Sequence, residues 1–82
     1  MKIHYDEVES WLVERLAGLA GEEPAAVDIQ RPFVDYSLDS SVAVTLSVEL
    51  GRWLDTKLSP TLFWEYPNIA TLATALAAGD VR

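Results

Sequence analysis

The sequence predicts an all-α protein: a four-helix bundle with a short third helix and a long loop between helices 1 and 2. Apolar residues recur at helical spacing near the start of the chain, near its end, and in a segment that follows residue 39. Proline and glycine separate these segments. With 82 residues, the chain is expected to form one domain, residues 1–82, around one small core.

The first helix is predicted from about Asp6 to Leu19. Asp6 and Glu9 have the spacing of an N-cap residue and its partner in a variant of the capping box. Gly18 and Gly21 are candidate terminators. The face expected to lie on the core carries Val8, Trp11, Leu12, Arg15, Leu16 and Leu19, with the Arg15 head kept in water.

Residues 22–39 are predicted to form a long connection with one short turn at residues 25–27. Pro24 and Pro32 punctuate it. A loop of this length inside a small domain tends to be functional. The residues expected to tie it to the core are Val27, Ile29, Phe33 and Tyr36.

The second helix is predicted to begin at Ser40 or Ser41 and to reach about Thr56. The apolar alternation from residue 42 to residue 50 also fits a strand, but the segment is long for a strand and its helical face continues to Leu54. The buried stripe is then Ala43, Leu46, Leu50, Trp53 and Leu54. If this stripe is buried, Val42, Val44 or Val48 must be partly exposed, either as ordinary surface residues or as a contact strip for a partner.

Two more helices are predicted after residue 58. Ser59 is the expected N-cap and Pro60 the first residue of a short third helix, which ends at Pro67. Asn68 is expected to cap the fourth helix and Gly79 to end it. The buried face of the fourth helix is predicted to carry Ile69, Leu72, Ala73 and Leu76.

Composition excludes several classes of function. The net charge of −7 argues against a nucleic-acid partner, and nine of the thirteen acidic residues lie in residues 1–39. There is no cysteine, no apolar run of membrane-spanning length and no signal-peptide core, so we expect a cytoplasmic protein with no membrane partner. We also expect a monomer. His4 is the single histidine, which does not make a metal site.

The pair Asp39-Ser40 is the most direct indication of chemistry in the chain. A serine directly after an aspartate at a helix start is where a carrier protein could bear its prosthetic group, because the unpaired N–H groups and the helix dipole there favour a phosphodiester. Ser41 is the alternative attachment residue but lacks the preceding aspartate. If neither serine is modified, Ser40 is an N-cap. No glycine pattern of a nucleophile elbow surrounds Ser40, so no catalytic residue is predicted.

Residues 32–40 and 58–73 resemble the acyl carrier protein family, in particular the carrier domains of modular polyketide synthases, and the resemblance extends over essentially the whole chain. It implies that a phosphopantetheinyl transferase attaches 4′-phosphopantetheine to Ser40, with Asp39 as the motif acid. It also implies a non-enzymatic role: acyl intermediates are held on the arm as thioesters. Two residues depart from the family pattern, because Ser37 stands where glycine is usual and Ser41 where leucine is usual.

The resemblance also implies partners. These are an acyl-adenylate ligase, an acyltransferase or a ketosynthase of polyketide or fatty-acyl biosynthesis, with contacts expected at Leu38, Ser41, Val42, Val44 and Val48.

The three tryptophans are expected in the core, and an acyl-chain crevice at Trp53 and Trp64 is the lesser alternative. Two other functions stay open: a small helical adaptor without a prosthetic group, and a peptidyl carrier, although the usual Gly-Gly-x-Ser pattern of peptidyl carriers is absent.

Overall fold

The structure is a computed structural model that describes residues 3–36 and 38–79. Within these ranges the chain forms four α-helices and two short 3-10 helices, and no strand beyond an isolated bridge between Pro32 and Asn68. The fold class is therefore confirmed, including the short third helix. The α-helices are α1 (Tyr5–Ala20), α2 (Ser40–Leu54), α3 (Leu62–Glu65) and α4 (Ile69–Ala78), and the 3-10 helices span Pro24–Ala26 and Phe33–Tyr36. In the part of the chain described, none of the helices has the length and apolarity needed to traverse a bilayer.

A single apolar core holds the helices together. α1 packs along α4, α2 contacts α3, and Phe33 from the loop meets Phe63 of α3 edge to face with 4.9 Å between ring centroids. The fully buried side chains come from all four helices, so the four helices share one core. Most of the predicted core residues are buried: Val8, Leu12, Leu16, Phe33, Tyr36, Ala43, Leu46, Leu50, Leu54, Ile69, Leu72, Ala73 and Leu76.

Both ends of α1 test the sequence analysis. The helix begins at Tyr5, and His4 occupies the N-cap position without a side-chain hydrogen bond, so the predicted capping role of Asp6 is wrong. Gly21 ends the helix with φ 68°, a left-handed conformation that glycine adopts at little cost, and this prediction is confirmed. Leu19 was placed on the buried face but is 48% exposed, because it lies in the last turn, beyond the core contacts of Leu16 and Ala17.

The expectation that the tryptophans build the core is wrong. Trp53 is 41% exposed and Trp64 is 53% exposed, and Trp11 is half-buried. Trp11 and Trp53 instead stack on each other across α1 and α2, with ring centroids 5.7 Å apart. The small core is filled mainly by leucines, with Phe33 and Phe63 among them, and the larger indoles remain at its edge.

The loop before α2 is ordered by its own contacts. Phe33 and Tyr36 are buried as predicted, three residues apart on a 3-10 helix that the sequence analysis did not predict. The Phe33 N–H donates to the Pro67 carbonyl at 2.8 Å, and the Ala70 N–H donates to the Ile29 carbonyl at 3.0 Å. These bonds attach the loop to the start of α4 and so fix the approach to α2.

The capping predictions for α3 and α4 had opposite outcomes. Ser59 does not cap α3, which starts at Leu62; its hydroxyl accepts from the Thr61 N–H at 3.2 Å in a turn just before the helix. Asn68 caps α4, since its Oδ1 accepts from the Thr71 N–H at 2.8 Å, and Gly79 ends that helix with φ 77°. Both predictions for α4 are confirmed.

The C-terminal end of α2 is closely packed. The helix ends at Leu54, two residues before the predicted end, and Asp55 follows in a left-handed conformation with φ 54°. Gly51 is buried, and a Cβ atom there would lie 2.6 Å from the Thr56 carbonyl oxygen. Only glycine therefore permits the chain to return so close to the helix.

Candidate functional site

Asp39 is the N-cap of α2, a role that the sequence analysis did not assign to it. One carboxylate oxygen, Oδ1, accepts from the Val42 N–H at 2.9 Å and from the Ser41 hydroxyl at 3.0 Å. The backbone hydrogen bond from Val42 and the hydroxyl hydrogen bond from Ser41 lower the pKa of Asp39. Asp39 is thus ionised at neutral pH and fixes the start of the helix. The alternative in which Ser40 is the N-cap is wrong.

The two adjacent serines have different surroundings. Ser40 is the first residue of α2 and is exposed, and its hydroxyl makes no hydrogen bond to any residue in the described ranges. Ser41 is also exposed, but its hydroxyl donates to Asp39, and its carbonyl accepts from the Thr45 hydroxyl at 2.8 Å. Only the Ser40 hydroxyl is therefore both accessible and free of a partner within this turn.

The start of α2 suits a phosphodiester attached through oxygen. The helix has 15 residues, and its N-terminus carries a partial positive charge and backbone N–H groups without helical partners. The Asp39 carboxylate already satisfies one of these groups, the Val42 N–H, and the first residues remain in contact with solvent. Because the chain contains no cysteine, a thiol at this site has to arrive with an attached group.

An apolar surface borders this turn. Val34 is 76% exposed and Trp64 is 53% exposed, and both line a small cavity together with Leu38. The cavity holds about 20 Å³, roughly the space of one water molecule, so it does not accommodate an acyl chain in this conformation. Trp53 lies elsewhere, against Trp11, and therefore the two exposed tryptophans do not share one crevice.

The residues expected to contact partners lie on and beside α2. Leu38 and Val42 are half-buried, whereas Val44 is 38% exposed and Val48 is 49% exposed. The partial exposure predicted among the three valines is confirmed, and Val44 and Val48 are one helical turn apart. We refer to Val42, Val44 and Val48 as the valine strip. Ser37, where the family usually has glycine, lies outside the described residues.

The described side chains give no support for catalysis or metal binding at Ser40. His4 is exposed directly before α1, whereas Ser40 begins α2, after the loop that follows α1. Over residues 3–36 and 38–79, no group of three or more histidine, cysteine, aspartate or glutamate side chains is placed to hold a metal ion.

Comparison with known protein families assigns the chain to one of them. Residues 10–76 match the model of the phosphopantetheine attachment site family, and the chain belongs to this family. Its prosthetic group is therefore 4′-phosphopantetheine, as the resemblance implied.

Relatives come from polyketide biosynthesis. The chain is 39% identical over 74 residues to one subunit of the phenolphthiocerol/phthiocerol polyketide synthase of Mycobacterium tuberculosis, an alignment that covers 90% of this chain and 4% of that protein. The chain thus spans only about 4% of the length of the curated synthase relatives that it matches first.

Solved structures of carrier proteins share the fold. An acyl carrier protein from Anabaena with a variant phosphopantetheinylation-site sequence superposes with a TM-score of 0.81 at 34% identity, covering 95% of this chain and 93% of the other. A free-standing peptidyl carrier protein from Acinetobacter baumannii gives 0.82 at 31% identity, covering 95% and 98%. The chain is therefore a carrier domain of the acyl or peptidyl type, and its sequence relatives favour the acyl type.

Proposed function

We propose that Ser40 is the residue that bears 4′-phosphopantetheine, and that the chain presents acyl intermediates to the enzymes of a polyketide or fatty-acyl pathway. The observation that carries the proposal is the state of the turn at residues 39–41. The Ser41 hydroxyl donates a hydrogen bond to the Asp39 carboxylate, while the Ser40 hydroxyl is exposed and has no hydrogen-bond partner in the described part of the chain. The residue order Asp39-Ser40 agrees with the motif of the family.

The attachment reaction assigns distinct roles to the chain and to the transferase. The Ser40 Oγ attacks the phosphorus of coenzyme A that carries the pantetheine, the bond from that phosphorus to the leaving adenosine 3′,5′-bisphosphate breaks, and the serine proton is taken up by a base. Asp39 is a poor candidate for that base, because two hydrogen bonds lower its pKa and occupy one of its oxygens. We therefore assign the base to the transferase, and to Asp39 the positioning of Ser40.

The attached group supplies a terminal thiol for thioester chemistry. This chain contributes a small rigid scaffold for the attached group, because the cap at Asp39 and the buried residues Ala43 and Leu46 hold the first turns of α2 in place. Since the family is one of carriers, we infer that the chain itself catalyses no reaction.

Partner contacts are proposed at the N-terminal half of α2. The enzymes are a phosphopantetheinyl transferase first, and then an acyl-adenylate ligase, an acyltransferase or a ketosynthase. The exposed valines of the valine strip, Val44 and Val48, support an apolar contact that includes Leu38, Ser41 and the half-buried Val42. Glu49 on the same helix pairs with Arg15, so its charge is already compensated within the domain. We further propose a cytoplasmic monomer that binds neither nucleic acid nor membrane, from the composition and net charge.

The attachment residue is tested by intact mass. The purified chain is incubated with coenzyme A and a phosphopantetheinyl transferase of broad specificity, and the gain of one phosphopantetheine is measured. We expect Ser40→Ala to abolish the gain. Ser41→Ala is the matched control: it removes the same atom one residue later and should leave the gain intact, with far-UV circular dichroism showing that both variants fold. A gain that survives in Ser40→Ala would refute the assignment.

The likeness to a peptidyl carrier defines a second test. The modified chain is isolated from cells that make it, and the mass of the species on its thiol is measured. A fatty-acyl or polyketide mass supports the acyl carrier. An aminoacyl mass would move the chain to the peptidyl class, without affecting the assignment of Ser40.

A further inference from the structure

A second exposed surface lies at the other end of α2. Trp11 of α1 and Trp53 of α2 stack with an interplanar angle of 13°, and Trp53 is 41% exposed. The two rings border an open groove of about 390 Å³ on the outer side of α1. We define the tryptophan patch by the residues that line this groove: Asp6, Glu7, Ser10, Trp11, Glu14 and Trp53.

The rim of the tryptophan patch is acidic. Asp6, Glu7 and Glu14 are all exposed, and Glu7 and Glu14 lie two turns apart on the same face of α1. Arg15 lies against the Trp11 ring, and it forms an ion pair with Glu49. Its charge is thus matched by a carboxylate outside the groove, and the groove itself keeps three negative charges beside two indole rings.

A groove that combines indole rings with carboxylates is suited to binding a planar or compact cation. An indole face attracts a guanidinium or ammonium group, and carboxylates at the rim accept its hydrogen bonds. Arg15 already shows the geometry on Trp11, since its guanidinium carbon lies 4.7 Å from the centroid of that ring, and the exposed Trp53 is the ring left for a cation from a partner. Arginine fits best, because its guanidinium stacks on an indole and bonds a carboxylate at the same time.

We propose that the tryptophan patch is a docking surface for a basic, arginine-bearing segment of a partner protein. Ser40 and Trp53 are thirteen residues apart on α2, which at the rise of a helix places them roughly 20 Å apart. A partner held at the tryptophan patch therefore leaves the Ser40 end of the molecule free for the enzymes that act on the arm. This surface is separate from the valine strip, and the proposal does not depend on the attachment at Ser40.

The test uses the unmodified full chain and a defined probe, tetra-arginine amide, at physiological salt. Binding is followed by NMR through the indole N–H signals. We expect the Trp11 and Trp53 signals to shift more than that of Trp64, and Trp53→Ala to weaken binding about threefold to tenfold. The double variant Glu7→Gln/Glu14→Gln should weaken it by a similar factor while leaving both tryptophans in place.

Matched controls separate a site from overall charge. Trp64→Ala removes another half-exposed indole, and Glu23→Gln/Asp35→Asn removes two exposed carboxylates elsewhere on the chain. Each control should change the dissociation constant by less than about twofold. Equal weakening in the control and test variants would overturn the proposal, because binding would then follow net charge alone.

Two more outcomes would overturn it. One is the absence of any indole shift with tetra-arginine amide. The other is sedimentation showing that the chain self-associates and that Trp53→Ala abolishes this association, since the occupant would then be a second copy. If Trp53→Ala fails to fold, the result with Glu7→Gln/Glu14→Gln decides, because both glutamates are exposed and outside the core.

Discussion

Replacing Leu50 with alanine tests the helix phase on which the fold rests. Leu50 lies in the middle of α2 with no exposed surface, in the same core cluster as Leu12 of α1 and Leu72 of α4. The truncation removes buried methyl groups and leaves a cavity between three helices, which costs about 3 kcal/mol. For a domain of 82 residues the whole free energy of unfolding is about 4–12 kcal/mol, so the loss is a large share of it.

The expected effect is measurable by two assays. A loss of about 3 kcal/mol raises the unfolding equilibrium constant about 150-fold and lowers the melting temperature by about 15 °C. In urea the midpoint should fall by about 2–3 M, followed by far-UV circular dichroism.

Leu19→Ala is the matched control for Leu50→Ala. It is the same chemical change in a helix, but Leu19 is 48% exposed. We expect it to change the free energy of unfolding by less than about 0.5 kcal/mol. An unchanged urea midpoint in Leu50→Ala, or an equal loss of stability in Leu19→Ala, would show that the helix phase of α2 is wrong.

Three more predictions follow from α2. Gly51→Ala should destabilise the domain by about 1–3 kcal/mol in urea denaturation, because the new Cβ would meet the Thr56 carbonyl oxygen at 2.6 Å; an unchanged midpoint would contradict the close approach. Folding lowers the pKa of Asp39, so its stabilising contribution is full above the unfolded value of about 3.9 and is lost as the pH falls through the lower folded value. The difference in unfolding free energy between the wild type and Asp39→Asn should therefore shrink between about pH 5 and pH 2, and a difference that does not depend on pH would be evidence against the cap. Loading of the modified chain by its cognate enzyme should depend mildly on salt and suffer more from Val44→Asp than from Glu49→Gln, since exposed charges are screened beyond about 8 Å at physiological ionic strength; a steep salt dependence with Glu49→Gln as the worse variant would indicate acidic docking.

Local signals predicted α4 to the residue. Asn68 caps the helix through its own side chain and Gly79 ends it in a left-handed conformation, and both effects depend only on residues within one turn. The apolar face between them is unambiguous, because almost every position on it is leucine, isoleucine or alanine. Where sequence and local geometry determine each other in this way, prediction from sequence succeeds.

Prediction failed where tertiary contacts decide between equivalent local options. Asp6 has the spacing of a cap, but α1 extends one residue further, to a half-buried Tyr5. Trp53 fits the helical stripe of α2 as well as Leu54 does, yet it stacks on Trp11 at the edge of the core. These outcomes depend on how α1 and α2 pack against each other. The apolar periodicity of a single segment carries no information about that packing.

The position of Asp39 and Ser40 at the start of α2 was predicted correctly, but their hydrogen bonds were not. The pair Asp39-Ser40 and the start of α2 were recognised from sequence, whereas the role of cap was given to the serine as the alternative to modification. Asp39 and Ser40 are both good N-cap residues, and one residue of shift exchanges their roles. The bond from Ser41 to Asp39 then distinguishes two serines that the sequence presents as near equivalents.

The uneven exposure of the three tryptophans gives this domain two optical reporters in separate places. The stacked pair Trp11 and Trp53, with centroids 5.7 Å apart, is close enough for the strong far-UV transitions of the two indoles to couple, so we expect the pair to contribute a paired band to the far-UV circular dichroism. Trp64 is more than half exposed and borders Leu38 near the Ser40 end of α2, so the wavelength of its fluorescence responds to whatever covers that end. A change in one signal without the other tells which end of the molecule is engaged, and the protein needs no added label for the measurement.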